Sequence, residues 1–459
     1  MNDRNLTLLT DFYELTMGNG YLENGLADTV CCFDLYFRKV PDNGGFAVMC
    51  GLEQAINYIK KLSFTDEDIA YLRDKKIFSE KFLDYLRNFK FSCDVWAIPE
   101  GTPVFPNEPL VIVKGPAIQA QLMETMLLLC INHQCLIATK AARIVKAADG
   151  RAVMEFGSRR AQGSDGAIYG ARAAYIGGCA GTACTISDKE MGTPALGTMA
   201  HSWVQMFDSE LDAFLLLVDT YNVLKSGIPN AIKVFNELRA EGHEPAGIRI
   251  DSGDITYLSR KARKMLDDAG FPNAKICISN SLDEYIIEDI LRQGACIDSF
   301  GVGEPVFGGV YKLTAVEKDG QIIPKIKLSE NVTKITTPDF KELWRFYDKT
   351  TGKAIADLIT CYGEEVDDTK PYTIFDPEHP YKKKTVTDFT AKKLLVQIFD
   401  KGECVYESPS ATEIRDFCRE QIGTLWSEVT RFENPHEYYV DLSKKLWDKK
   451  NDLLNEMSV

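Results

Sequence analysis

Hydrophobic and polar positions along the first third of the chain predict a mixed α/β domain. Residues 30–39 carry apolar side chains at every second position, which predicts a half-buried strand. A helix is expected to begin near Thr10, and short amphipathic helices are expected between residues 54 and 88. Repeated prolines between residues 95 and 113 indicate strands joined by turns. We therefore expect an N-terminal α/β domain over residues 1–132. We also expect part of residues 339–400 to complete this domain.

The middle of the chain has a different pattern. Residues 119–142 form a long apolar stretch that predicts a buried helix. After it, short apolar strands alternate with helices to about residue 302, and repeated units of this kind imply a parallel sheet, open or closed into a barrel. We assign residues 133–338 to this domain. Residues 339–459 are predicted to hold further strands and then a charged C-terminal helical lobe.

Glycine and polar residues follow the predicted strands of the middle region. In an α/β barrel, the residues that bind ligands gather at these strand ends. The ends lie at residues 156–160, 181–182, 197–201, 219–221, 249–254, 279–281 and 301–304. Such regularity predicts an enzyme.

Composition and charge narrow the function further. The chain has 459 residues, is 45% hydrophobic and 26% charged, and carries a formal net charge of -14. The acidic balance argues against nucleic-acid binding, although an anionic small molecule can still bind in a local basic pocket. The thirteen cysteines include no C-x-x-C pair, and the sequence has neither a signal-peptide pattern nor an apolar run long enough to cross a bilayer. These observations predict a cytoplasmic protein with reduced thiols and no membrane contact.

The strand end at residues 249–254 carries the most informative charges. The Arg249 guanidinium can hold a carboxylate or phosphate through two hydrogen bonds. The carboxylates of Asp251 and Asp254 can hold ribose hydroxyls or Mg²⁺. The alternative is an internal salt bridge beside a helix N-terminus that Asp251 or Ser252 caps.

Three further strand ends offer complementary chemistry. Phe156 followed by Arg159 combines an aromatic face with a cation, which suits a planar anionic ring. Gly301 and Gly303 can present backbone N–H groups to a phosphate, although a short glycine loop is a weak signal. His201 follows a run of small residues, where a histidine can carry a proton or act as a nucleophile. Core packing explains Phe156 or His201 equally well when each is taken alone.

Taken together, eight segments resemble the nicotinate phosphoribosyltransferase family. These are residues 10–17, 156–160, 197–203, 218–221, 226–230, 249–254, 300–303 and 309–312, and the match continues to about residue 338. The resemblance implies a type II phosphoribosyltransferase fold, with an N-terminal α/β domain, an irregular α/β barrel and an active site shared between the subunits of a homodimer.

The implied reaction joins nicotinate to 5-phosphoribosyl 1-diphosphate, giving nicotinate mononucleotide and diphosphate in NAD salvage. It is coupled to ATP hydrolysis and uses Mg²⁺. The resemblance implies that His201 is the phosphorylated histidine. It also implies that the pyridine ring lies between Phe156 and the partner subunit's Tyr13, with Thr198 and Arg249 as nicotinate contacts. The other implied contacts are Arg159 at a phosphate, Asp251 and Gly303 at the phosphoribosyl group, and Ser279, Asn280 and Gly301 at the substrates.

Two positions bear on alternative functions. Glu304 stands where the family usually has Thr or Ser, and a carboxylate is unfavourable beside a phosphate unless it turns away or binds Mg²⁺. Nicotinamide-using relatives carry an Asp at the place of Ala183, and the small neutral residue here favours a carboxylate substrate. A nicotinamide phosphoribosyltransferase remains the alternative within the class, and a quinolinate-using relative would not need the histidine segment.

Two readings from other classes stay open. An inactive barrel-type binding protein is disfavoured by the intact His201, Arg249 and Asp251. A phosphosugar aldolase would usually need a Schiff-base lysine at a strand end, and the strand ends above contain none.

Overall fold

The computed structural model describes residues 5–197, 217–219, 222–251, 253–279, 282–302, 309–326 and 335–456. The chain forms two compact units. The first comprises Met1–Leu136, Val306–Pro409 and Phe417–Val459, and the second comprises Ile137–Pro305 and Ser410–Asp416.

The first unit contains most of the strands. Its helices are α1 (Phe12–Glu23), α2 (Leu52–Lys61), α3 (Asp66–Asp74), α4 (Glu80–Arg87) and α5 (Ala117–Gln121), together with the start of α6 (Glu124–Ala147). Its first strands are β1 (Val30–Phe37), β2 (Ala47–Val48), β3 (Asp94–Ala97), β4 (Pro103–Val104) and β5 (Val111–Pro116). The helix starts are well specified: Thr65 and Asp68 form a reciprocal capping box at α3, and Ser79 caps α4.

The second unit alternates strands with helices. Its strands are β6 (Ala152–Glu155), β7 (Gly181–Thr182), β8 (Gly247–Ile250), β9 (Lys275–Ser279) and β10 (Ser299–Val302). Between them lie α7 (Ser164–Ile176), α8 (Thr185–Met191), α9 (Ile228–Ala240), α10 (Ile255–Asp268) and α11 (Glu284–Arg292). The strands form one parallel sheet in the order β7-β6-β10-β9-β8. Parallel bridges extend it from Thr182 to Ala195 and from Arg249 to Leu217.

The rest of the chain returns to the first unit. It contributes β11 (Gly309–Lys318), β12 (Gln321–Pro324), β13 (Lys341–Asp348), β14 (Ala354–Cys361), β15 (Tyr372–Phe375), β16 (Lys383–Val386), β17 (Phe389–Lys393), β18 (Val396–Asp400), β19 (Glu403–Cys404), β20 (Val440–Leu442), most of α12 (Ala411–Thr424) and α13 (Lys444–Glu456). One seven-stranded sheet runs β12-β11-β1-β5-β3-β18-β19, and a four-stranded sheet runs β17-β13-β14-β20. Strand β14 is buried along its whole length and supplies much of the core beside Phe346 and Phe389.

This division differs from the three-part division expected from the sequence. Residues 306–338 were expected with the β–α region, but β11 pairs antiparallel with β1 and so joins the first unit. The C-terminal helices α12 and α13 form as expected. They do not stand apart as a helical lobe, since residues 417–459 belong to the first unit and contribute β20 to its four-stranded sheet.

Among the described residues, α5 and α6 lie in one long apolar stretch. Residues 117–147 are long and apolar enough to cross a membrane by composition, and 61% of the most apolar window is buried within the protein. A core helix passes the same test, and burial of this kind is typical of one.

Candidate active site

The carboxyl ends of β8 and β9 bring three of the predicted site residues together. Arg249 donates from Nε to Ser279 Oγ and from Nη2 to Asp251 Oδ1, each at 2.8 Å. Ser279 Oγ in turn donates to Asp251 Oδ1. Neighbouring parallel strands end at the same edge of the sheet, which explains why residues thirty positions apart meet here. The side chains of Arg249 and Asp251 are 16% and 28% exposed, so the cluster is open to a ligand.

A second carboxylate supports this cluster from the next chain segment. Asp219 Oδ2 accepts a hydrogen bond from the Asp251 backbone N–H at 2.8 Å. Asp219 follows Leu217, which bridges to Arg249. The sequence placed Asp219 at a strand end but assigned it no role, and the structure puts it beside the proposed phosphoribosyl contact.

Phe156 lies on the same edge, at the end of β6. The Arg249 guanidinium is 5.7 Å from the centre of the Phe156 ring, a cation–π geometry. Gly301 in the adjacent strand β10 makes room for that ring, because a Cβ on Gly301 would lie only 2.6 Å from Phe156 Cδ2. The missing side chain of Gly301 therefore has a local role in ring placement, which the sequence analysis did not foresee.

Glu155 is a site neighbour that the sequence analysis missed. Its carboxylate accepts hydrogen bonds from the Gly157 N–H, just after β6, and from Thr182 Oγ1, at the end of β7. Burial raises the pKa of Glu155, and the two donated hydrogen bonds oppose that shift. Its position directly before Phe156 was the available signal.

Other residues of these strand ends face solvent. Arg159, in the short turn after Phe156, is exposed, as is Ala183 after β7. Asp254 is the N-cap of α10, where its side chain accepts from the Tyr257 N–H at 2.9 Å. The capping role that the sequence analysis considered for Asp251 or Ser252 thus belongs to Asp254.

Tyr13 lies in α1 of the first unit and is 43% exposed. Its hydroxyl donates to Glu124 Oε2, which also accepts from Gln121 Nε2 at 2.9 Å. Burial and the neighbouring Glu124 raise the pKa of Tyr13, so the phenol stays protonated. Helix α1 begins at Phe12, close to the start expected near Thr10, and its N-cap is Asp11. The Thr10 hydroxyl donates to the Glu14 side chain.

Several predicted site residues lie outside the described part of the chain: Thr198, His201, Asn280, Gly303 and Glu304. Among the described residues, no group of three or more His, Cys, Asp or Glu side chains is arranged to hold a metal ion.

Comparison with known proteins identifies the family. The family model of the nicotinate phosphoribosyltransferase N-terminal domain matches residues 8–132, and that of the C-terminal domain matches residues 340–450. A curated nicotinate phosphoribosyltransferase from Bacillus subtilis (strain 168) is 42% identical, covering 99% of this chain and 96% of that protein. The chain belongs to the nicotinate phosphoribosyltransferase family.

More distant members of the nicotinate phosphoribosyltransferase family also match along nearly the whole chain. The Dictyostelium discoideum nicotinate phosphoribosyltransferase is 34% identical, covering 97% of this chain and 88% of that protein. The crystal structure of human nicotinic acid phosphoribosyltransferase superposes with a TM-score of 0.88 at 28% identity, covering 97% of this chain and 99% of that one. The mixed α/β fold expected from the sequence is therefore confirmed.

Proposed function

We propose that the protein, as a nicotinate phosphoribosyltransferase of NAD salvage, joins nicotinate to 5-phosphoribosyl 1-diphosphate and releases diphosphate. The observation that carries this proposal is the Arg249 guanidinium, placed between the Phe156 ring and the Asp251–Ser279 pair. Arg249 can bind the nicotinate carboxylate while the ring stacks on Phe156. Asp251 and Ser279 lie where ribose hydroxyls can be held, with Asn280 and Gly303 as the further contacts that the family resemblance implies.

The rate enhancement comes mainly from positioning and charge. Stacking on Phe156 and pairing with Arg249 hold the pyridine ring with its nitrogen aimed at the sugar carbon. Asp219 and Asp251, at adjacent strand ends, fit Mg²⁺, which usually takes one or two carboxylates together with substrate phosphates. Bound there, Mg²⁺ would neutralise charge on the leaving diphosphate. Arg159 is exposed near Phe156 and can reach a phosphate.

We further propose that the active site is completed by a second copy of the chain in a homodimer. Tyr13 is presented outward, with its hydroxyl held by Glu124. Leu9, Phe12 and Met17 are also exposed, at 44%, 48% and 38%. Neighbouring apolar side chains left in solvent are typical of an interaction surface. In the dimer, the partner subunit's Tyr13 would cover the face of nicotinate opposite Phe156.

The described strands of the second unit support a closed barrel. Strand β10, the last along the chain, pairs with both β9 and β6, the first. An open sheet has no need to bring its first and last strands together, whereas a barrel requires it. The closing contact would fall between the segments of Ala195 and Leu217.

We also propose that the protein is cytoplasmic, as expected from the sequence.

ATP coupling is proposed through His201. A phosphorylated histidine stores a transferable phosphate and can order a segment over the substrates. It need not touch the reacting carbon, so His201→Ala should abolish protein phosphorylation and stimulation by ATP while slow synthesis survives. The measurement is acid-labile labelling from γ-labelled ATP beside product formation. A His201→Ala protein that kept its label or its full ATP stimulation would contradict this role.

Product analysis tests the reaction itself. The purified protein is incubated with 5-phosphoribosyl 1-diphosphate, Mg²⁺ and either nicotinate or nicotinamide, with and without ATP. We expect nicotinate mononucleotide and little nicotinamide mononucleotide. Ala183→Asp should weaken nicotinate use by roughly 1–3 kcal/mol through charge repulsion. Equal use of nicotinate by the variant and the parent would show that Ala183 does not face the substrate carboxylate.

A further inference from the structure

Glu155 connects the ends of two neighbouring strands through its side chain. The residue is 9% exposed. One carboxylate oxygen accepts from the Gly157 N–H, and the other accepts from the Thr182 hydroxyl at 2.5 Å. A carboxylate in this position can satisfy two donors at once, which a shorter or apolar side chain cannot do. The strand ends after β6 and β7 are therefore held at a fixed separation.

On the β7 side, this bond fixes the turn that carries Ala183. Thr182 is fully buried. Its hydroxyl accepts a hydrogen bond from the Cys184 N–H at 2.9 Å and donates one to the Glu155 carboxylate. The Ala183 N–H donates to the Glu155 backbone carbonyl at 2.9 Å. The backbone on both sides of Ala183 thus depends on Glu155, either directly or through Thr182.

On the β6 side, the same carboxylate fixes Phe156. The residue lies between Glu155 and Gly157, whose N–H the carboxylate holds. The Phe156 N–H donates to Val302 O at 3.3 Å, and the ring fills the space above Gly301. Loss of the bond to Gly157 would free the peptide that sets the direction of the ring.

We propose that Glu155 is a positioning residue that sets the stacking face of Phe156 relative to the Ala183 turn, and thereby the preference for nicotinate over nicotinamide. This inference rests on the proposed function, in which Phe156 stacks on the ring and Ala183 lies near the group that distinguishes the two substrates. A residue that merely filled the core would affect stability and leave this preference unchanged.

The test compares Glu155→Leu with Glu155→Gln in the full-length protein. Glutamine can still accept from the Gly157 N–H through its oxygen and donate to Thr182 through its amide, whereas leucine leaves both donors without an acceptor. We expect Glu155→Leu to raise KM for nicotinate roughly tenfold, with kcat and KM for 5-phosphoribosyl 1-diphosphate little changed. The ratio of kcat/KM for nicotinate to that for nicotinamide should fall by a similar factor, and Glu155→Gln should recover most of it.

A second pair of variants keeps the test decisive if Glu155→Leu does not fold. Thr182→Val removes the hydroxyl that Glu155 holds, and should lower the same substrate ratio. Ser187→Ala is the matched control, since Ser187 is equally buried and its hydroxyl bonds only Ile168 O among the contacts described. It should lower thermal stability and leave the ratio unchanged.

The outcomes separate the two proposals. If the parent enzyme prefers nicotinate but the ratio is unchanged in Glu155→Leu, only the role of Glu155 is overturned. If Glu155→Leu does not fold, an unchanged ratio in Thr182→Val has the same meaning. A parent that forms no nicotinate mononucleotide overturns the proposed function and this inference together. A fall in the ratio for Thr182→Val but not for Ser187→Ala supports the inference.

Discussion

Two arginine–aspartate pairs of similar chemistry lie in opposite surroundings. In the first unit, Arg345 donates to both Asp357 oxygens, at 2.8 and 2.7 Å, and both side chains are 0% exposed. In the second unit, Arg249 meets one oxygen of Asp251, and both side chains are partly exposed. The residue types are the same, so the difference between the two pairs lies in their position and surroundings.

The neighbours of each pair explain the difference. Arg345 also donates to Pro103 O at 2.8 Å, the Tyr438 hydroxyl donates to Asp357 at 2.9 Å, and the Phe105 ring stacks on Tyr438 with 3.8 Å between centres. This pair is held from within the protein and serves the fold. The Arg249 pair lies at the end of β8, beside Ser279 at the end of β9, where a ligand can take over part of the hydrogen bonding.

The largest effect is expected from Arg345→Ala. It leaves Asp357 buried without its cation, which should lower the free energy of unfolding by about 3–5 kcal/mol. Thermal unfolding followed by circular dichroism measures the loss. Arg87→Ala, which removes an exposed partner of Asp84, is the control and should change stability by at most about 1 kcal/mol. Similar midpoints for the two variants would show that the buried pair is not structural.

Arg249→Ala should have the converse result. In the proposed function Arg249 binds the substrate carboxylate, so kcat/KM for nicotinate should fall by about 100-fold or more, while the unfolding midpoint moves little. Steady-state kinetics and the same thermal scan measure both quantities. Arg292→Ala, which removes a side chain that is 79% exposed on α11, serves as the control. A large loss of stability with normal kinetics in Arg249→Ala would show that this pair stabilises the fold and does not bind the substrate.

Gly301→Ala tests the room beneath the Phe156 ring. The added methyl group would overlap the ring and must displace it, at a cost of about 1–3 kcal/mol. We expect KM for nicotinate to rise more than KM for 5-phosphoribosyl 1-diphosphate. The control is Gly20→Ala in α1, where a Cβ meets no atom within 4 Å. Unchanged nicotinate binding in Gly301→Ala would mean that the ring does not contact the substrate.

The smallest expected effect is a change of stability with pH at Glu108, which is buried beside the Arg345–Asp357 pair. Burial, followed by the nearby Asp357 carboxylate, raises the pKa of Glu108 well above its ordinary value. Above that ordinary value, the unfolded state loses the proton while the native state keeps it. The native state is then less favoured as pH rises, by at most about 1.4 kcal/mol per pH unit, until the raised pKa is passed.

Glu108→Gln removes this proton and should therefore gain stability relative to the parent as pH rises. Thermal midpoints of both proteins from pH 5 to 8 measure the difference. Glu67→Gln is the control for the same substitution at an exposed position. A constant difference for Glu108→Gln would mean that the Glu108 carboxyl does not stay protonated in the native protein. Arg345 and the Tyr438 hydroxyl also face this group and are left unchanged.

Local alternation in the sequence was enough to predict where some of the candidate residues lie, while their roles stay predictions. Arg249, Asp251 and Ser279 each follow an apolar strand, so their shared location at one edge was predictable. The role of Gly301 depends on β10 lying beside β6, a long-range pairing that no local pattern encodes. Glu155 resembled an ordinary polar residue near a strand end, since its bond with Thr182 forms only when β7 lies beside β6.

The fold was predicted to a similar extent. Helices with clear caps, such as α3 and α4, lie within residues 54–88, where short helices were expected. Strand β14 was not predicted individually, because it is buried on both faces and so lacks the alternation that marks a half-exposed strand. The joining of β11 to β1 could not be inferred from either segment alone.

The position of β10 beside β6 also constrains how the protein is made. The Arg151 side chain, next to the start of β6, bonds the carbonyl of Ile297, which is 146 positions further along. During synthesis, β6 therefore emerges long before the strand that will cover one of its edges. Contacts this distant slow folding, and an uncovered strand edge invites pairing with other chains. The site at the ends of these strands can assemble only after residue 302 has left the ribosome.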